Sequence, residues 1–272
     1  GLDVAALVYY PVDSPEEQYF ADTDYRTLIN TRLSEILSAS DPNDARMLFT
    51  DVANIAFANT DVNGNGTFDA GEGIGIITYG QIKETYTGHP GSFNSSVSGF
   101  TTPYDTNLST NLHGDVWFNT NHSIWAAQNE DISWGDASYK VLLEETLHVL
   151  GADIYDAFGN PKNSLIDNQK YTVASYHRAP GMEVSGDPFD LLDVSAYTLQ
   201  LYDIAALQEI YGRNYEKAPD STAWTVSVMN YSADLDDAFL YTIWDGSGVA
   251  DTIDASELNT YGISDGVEID LR

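Results

Sequence analysis

The stretch Asp61-Val62-Asn63-Gly64-Asn65-Gly66-Thr67-Phe68-Asp69-Ala70-Gly71-Glu72 constrains this chain most. It matches the pattern D-x-[DN]-x-[DN]-G-x5-E at every defined position. A hard cation such as Ca²⁺ wants about six to eight oxygens, and alternate positions of such a loop turn their oxygens inward. Asp61, Asn63, Asn65 and Asp69 supply side-chain oxygens, Thr67 its carbonyl, and Glu72 closes the shell with two more. Gly66 permits the sharp turn. The residues after the loop are β-like rather than helical, which predicts a permanently occupied structural calcium site rather than a switch.

The rest of the composition agrees with cations as partners. Against 42 acidic residues stand 11 basic ones, a formal net charge of −31 spread along the chain. Such a charge repels nucleic acid and anionic membranes. The absence of cysteine excludes disulfides and thiolate metal sites. No run of about eighteen apolar residues exists to span a bilayer. The start, Gly1-Leu2-Asp3, has neither the charged nor the apolar region of a signal peptide, and it reads as the start of a processed fragment. With 272 residues, 43% of them hydrophobic, the chain has material for one sizeable core and a smaller appended unit.

Periodicity places the elements. Residues 24–58 have helical spacing, through Leu28, Leu33, Ile36 and Leu37 and then Met47, Leu48, Val52 and Ile55, interrupted at Asp41-Pro42-Asn43. Ile74–Tyr79 and Asp115–Asn119 read as strands, with Gly- and Ser-rich loops over 80–114 between them. A helix is expected over 138–150, capped by Ser138 and stopped by Gly151, and another over 199–211 ending at Gly212. Residues 152–197 read as irregular. From 222 the pattern turns to short β segments and Asp/Gly turns, so a domain boundary is expected there.

The helix over 138–150 carries the stretch Glu144-Glu145-Thr146-Leu147-His148-Val149-Leu150-Gly151-Ala152-Asp153-Ile154. The long zinc-protease pattern H-E-x-x-H-x-x-G-x-x-H, followed by a Met-turn, fits it at Glu145, His148 and Gly151. Glu144 and Ile154 stand where two His ligands belong. Three other stretches join it in order: Asp115-Val-Trp-Phe-Asn119, Leu201-Tyr-Asp-Ile-Ala-Ala-Leu-Gln-Glu-Ile-Tyr-Gly212, and Trp244-Asp-Gly-Ser-Gly-Val-Ala-Asp-Thr-Ile-Asp-Ala-Ser256. On these residues the chain resembles the serralysin family, secreted metzincin proteases. The likeness extends over most of residues 45–272.

The resemblance implies an α/β (α+β) metzincin-like domain at 1–221, with a mixed twisted sheet, two long helices and the calcium loop at 61–72 as an insertion. It further implies the start of an RTX-type, calcium-binding β-roll at 222–272, although the G-G-x-G-x-D repeats themselves are absent from the sequence. Export by type I secretion, hence a secreted or cell-surface location, follows from the same likeness.

The departures bear on chemistry. A catalytic zinc needs three protein ligands and an open position for water. Glu144 and His148 are candidate ligands at the degenerate zinc positions, Glu145 is the candidate general base, and Ile154 cannot ligate. The Met-turn corresponds to Thr172-Val173-Ala174-Ser175-Tyr176, with Ala174 in place of Met and Tyr176 retained. As plain structure, Glu144 and Glu145 would be a solvated helix face and His148 a polar side chain in a shallow cleft. Two readings result. One is a calcium-binding pseudoprotease without zinc, serving as a binding, adhesive or structural module whose old substrate cleft either holds a polypeptide strand without cutting it or is filled by the chain's own loops. The other is an active zinc metalloendopeptidase with Asp153, Asp156 or His177 as substitute third ligand, Glu145 as base and Tyr176 as oxyanion support. His89, His113 and His122 lack ligand spacing and read as loop residues.

Overall fold

The structure, a computed structural model, describes residues 5–10, 23–37, 48–59, 77–82, 97–101, 115–119, 122–126, 132, 136–152, 166–177, 196, 198–216, 223–225, 240–246 and 252–254. The calcium loop at 61–72 lies outside the described residues, as do Asp153, Ile154, Asp156, His89 and His113.

The chain folds as mixed α/β. Five strands form one sheet: β1 (Ala5–Tyr10), β2 (Ile55–Asn59), β3 (Ile77–Ile82), β4 (Gly99–Thr101) and β5 (Asp115–Asn119), in the order β2-β1-β3-β5-β4. All neighbours run parallel except β4, which runs antiparallel along β5 at the edge. Parallel neighbours require crossover connections, and the helix α1 (Thr23–Leu37) lies between β1 and β2 in the chain. Its Ile29, Leu33, Ile36 and Leu37 are buried at helical spacing. The remaining helices are α2 (Phe49–Val52), α3 (Ser123–Ala126), α4 (Ala137–Val149) and α5 (Leu201–Tyr211). None of the described helices is long and apolar enough to cross a membrane.

Helical spacing misreads residues 53–58. Only one helical turn forms, α2, where the Asp51 carboxylate accepts a hydrogen bond from the Leu48 amide at 2.9 Å. Ala53 is already extended, and Ile55–Asn59 pairs with β1 from Ala5↔Ile55 to Tyr9↔Asn59. A short apolar run satisfies either period, and here the ladder with β1 decides. The expected loop over 80–114 likewise contains the end of β3 and all of β4, whose three residues are too few to show a period. Of the expected strand Ile74–Tyr79, residues 74–76 lie outside the described residues, and Ile77, in β3, is buried.

Helix α4 forms where expected, and its residues 137–147 are all buried, so it is the central helix of the core. Tyr79 Oη lies 3.1 Å from Thr146 Oγ1, joining α4 to β3. Phe118 stacks on Tyr79 at 6.2 Å and meets the edge of Trp125 at 5.5 Å. Asp136, not Ser138, is the residue before the first turn; Ser138 is buried, and its hydroxyl finds no hydrogen-bond partner among the described residues.

At the other end Gly151 adopts φ 82°, and its amide donates to His148 O at 2.9 Å while the Ala152 amide donates to Leu147 O at 3.2 Å. These are the paired bonds of a glycine-terminated helix, closed by the buried Leu147 and Ala152. An added Cβ at Gly151 meets nothing within 4 Å, so only the backbone conformation resists it. Gly151→Ala should therefore lower stability by about 1 kcal/mol, measurable as a shift in urea midpoint with unchanged slope.

Helix α5 begins at Leu201, two residues after the expected start, and ends as expected, with Gly212 following it at φ 84°. Residues 240–244 lie along the N-terminal end of α5 and its exit. The Thr242 amide donates to Thr198 Oγ1 at 2.8 Å, its hydroxyl to Gln200 Oε1 at 3.0 Å, and Trp244 Nε1 to Asn214 O at 3.1 Å. Beyond them β6 (Ala223–Thr225) and β7 (Thr252–Asp254) pair in parallel as a separate two-stranded ladder.

Candidate functional site

On a helix, residues four apart share a face. Lys140, Glu144 and His148 therefore form one row on α4. Lys140 Nζ donates to Glu144 Oε2 at 3.0 Å, and His148 Nε2 lies 4.0 Å from Glu144 Oε1. The first pair is buried: Lys140 is 8% and Glu144 4% exposed. Glu144 Oε1 accepts no hydrogen bond among the described residues. The Tyr176 ring covers the ammonium, with Nζ 5.8 Å from its centroid. Tyr176 itself is 72% exposed, so the cover is a thin one.

Glu145 points to a different neighbour. Thr101 Oγ1, on β4, lies within donating distance of both Glu145 Oε2 (2.8 Å) and the Glu145 carbonyl oxygen (2.9 Å). Gly99 lets β4 approach this closely: a Cβ there would sit 3.0 Å from Val141 Cγ1 and 3.1 Å from Glu145 Cγ. Burial raises the Glu145 pKa to about 8, and the Glu144 charge adds to the rise, outweighing the Thr101 hydrogen bond and the Lys140 charge. At neutral pH this carboxyl keeps its proton, and through Thr101 it is a strut between α4 and β4.

The turn bearing Tyr176 is fixed from α5. Asp203, fully buried, accepts from Thr172 Oγ1 at 2.7 Å, from the Val173 amide at 2.9 Å and from the Gln200 amide at 2.8 Å. The Ala174 amide in turn donates to Thr172 Oγ1 at 3.1 Å, and Ala174 is buried. Burial still pushes the Asp203 carboxyl up to about 6 against these bonds. Tyr202 stacks on Tyr171 at 5.5 Å, and Tyr211 Oη donates to Leu150 O at 2.8 Å. Helix α5 thus holds both the 171–176 turn and the end of α4.

The structure therefore sets Glu144 and His148 in one row with Lys140 under the Tyr176 ring, turns Glu145 away to β4, and corrects the expectation that the two glutamates form a solvated face. His148 is half-buried at the end of the row. Of the substitute ligands, His177 is the described one; its Nε2 lies 3.8 Å from Asp167 Oδ2. His122 serves its own turn, its Nδ1 accepting from the Ile124 amide at 3.2 Å. Among the described residues no group of three or more His, Cys, Asp or Glu is arranged to hold a metal ion. An ammonium pairs with one oxygen of Glu144, and Glu145 is turned to Thr101 on β4.

Sequence reasoning had not singled out Lys140, Thr101, Gly99 or Asp203. Only Lys140 left a signal, the K-x-x-x-E-x-x-x-H spacing of 140, 144 and 148. Among known proteins, no family model matches the chain, and no curated protein is significantly similar to it.

Proposed function

We propose that this chain is a serralysin-like pseudoprotease: a secreted, calcium-binding, proteolytically inactive domain serving as a binding or structural module of a larger RTX-type protein. In this reading residues 1–221 are the metzincin-like domain and 222–272 the start of the β-roll. The polypeptide partner lies in the former substrate cleft. The observation that carries the reading is the state of α4. A zinc protease needs a base facing an open metal position, whereas here the residue in the base position is buried and tied to Thr101 on β4. The residue in the first ligand position is ion-paired with Lys140.

The deciding experiment combines metal analysis of the purified chain with a casein cleavage assay. Calcium without stoichiometric zinc, and no cleavage, is the expected result. Stoichiometric zinc with cleavage abolished by Glu145→Gln would instead establish the active endopeptidase with substitute ligands.

The calcium part of the proposal rests on the sequence of the 61–72 loop and has its own check. A site formed only in the folded state adds about 2.7 kcal/mol at a free ion concentration one hundred times Kd. Chelator should therefore lower the melting temperature, and Asp61→Ala or Glu72→Ala should abolish most of the calcium-dependent difference. An equal melting temperature in calcium and chelator would refute a structural role for the loop.

A further inference from the structure

We propose that Lys140 is the resident cation of the α4 face, a built-in ammonium that satisfies Glu144 in place of a metal ion and keeps divalent metal from binding there. The inference extends the reading of α4 given above, and its test is separate from the cleavage assay.

The geometry is that of a cation site already filled. The ammonium reaches Glu144 Oε2 at 3.0 Å from within the same helix and sits 5.8 Å from the centroid of the Tyr176 ring, whose π face also favours a cation. Both members of the pair are buried, so a second cation brought to Glu144 would meet Lys140 in a weakly screened setting. Lys140 cannot withdraw without leaving either its own charge or that of Glu144 unpaired in the interior. The other carboxylate oxygen, Oε1, is buried without a hydrogen-bond partner among the described residues and faces His148 Nε2 at 4.0 Å. Glu144 and His148 thus lie on one helix face with the spacing of a ligand pair, and the cation they lack is supplied by the residue one turn earlier.

Replacing that residue should expose the pair. In zinc titrations of the full, calcium-saturated chain followed by calorimetry, Lys140→Met and Lys140→Gln should each gain one site at least tenfold tighter than any site in the wild type. Lys140→Arg, which keeps a cation in place, should behave as the wild type. In Lys140→Met/His148→Ala the gained site should disappear. Zinc binding by the neutral variants no tighter than in the wild type overturns the proposal, as does a gained site that survives loss of His148. The wild type also tests it without any change at position 140: if it binds one zinc and Glu144→Gln loses that zinc, Lys140 does not exclude metal.

Discussion

Glu145→Gln should leave stability nearly unchanged at about pH 4 and raise it by on the order of 4 kcal/mol at about pH 9, a shift set by 1.36 kcal/mol per pKa unit. In the folded chain the Glu145 carboxyl keeps its proton to about pH 8, whereas the ordinary glutamate value is 4.5. Between those two values the folded state binds the extra proton, so the wild type loses stability as pH rises through the window and levels off above it. Glutamine carries no charge at any pH and retains an oxygen for the Thr101 hydroxyl. The wild-type minus variant difference therefore isolates this one group from the repulsion among the other carboxylates. Urea unfolding of both proteins at about one-unit pH intervals reads the difference directly. A difference that stays flat from about pH 4 to 9 would show Glu145 ionised in the folded chain, and would return it to candidacy as a base.

That experiment also bears on why the site was only partly legible. The spacing of Glu144, Glu145, His148 and Gly151 was readable because a helix stopped by a left-handed glycine has a local cause, and Gly151 at φ 82° fulfils it. The strand Asp115–Asn119 and the helix ending at Gly212 were legible for the same kind of reason. What the local pattern does not contain is burial. A lysine and a glutamate four apart on a helix ordinarily form a solvated pair of little consequence. Here α4 is packed on nearly all sides, and the pair becomes an interior one.

The same limit hid β1, β2 and β4. Ala5–Tyr10 and Ile55–Asn59 become strands by pairing with each other across a long sequence separation. Gly99–Thr101 becomes one because Gly99, Phe100 and Thr101 meet Phe118, Trp117 and Val116 on β5. Thr101 can then reach Glu145, 44 positions later, and no spacing rule links two residues so far apart. In each case a non-local partner decides the state of a segment whose own propensity is indifferent.

Asp203→Ala should be the most damaging of the substitutions considered, costing on the order of 4–5 kcal/mol. Its carboxylate is the common acceptor for Thr172 Oγ1 and for the amides of Val173 and Gln200, all in the interior. Removing it leaves these three donors without that acceptor, and each buried unsatisfied donor costs about 1–3 kcal/mol. The loss is also local in a way that a simple cavity is not. The Gln200 bond closes the first turn of α5, and the Thr172 and Val173 bonds fix the turn that presents Tyr176 to Lys140. Amide exchange should therefore speed up at Val173, Ala174 and Gln200 well before it does in the buried turns of α1, with the global loss read by urea unfolding. A loss below about 1 kcal/mol, or exchange that speeds up uniformly, would mean that water or other groups take over the acceptor role. If the loss is local as expected, freeing this turn also uncovers the Lys140 ammonium. The packing of α5 thus contributes one side of the cover over the α4 ion pair.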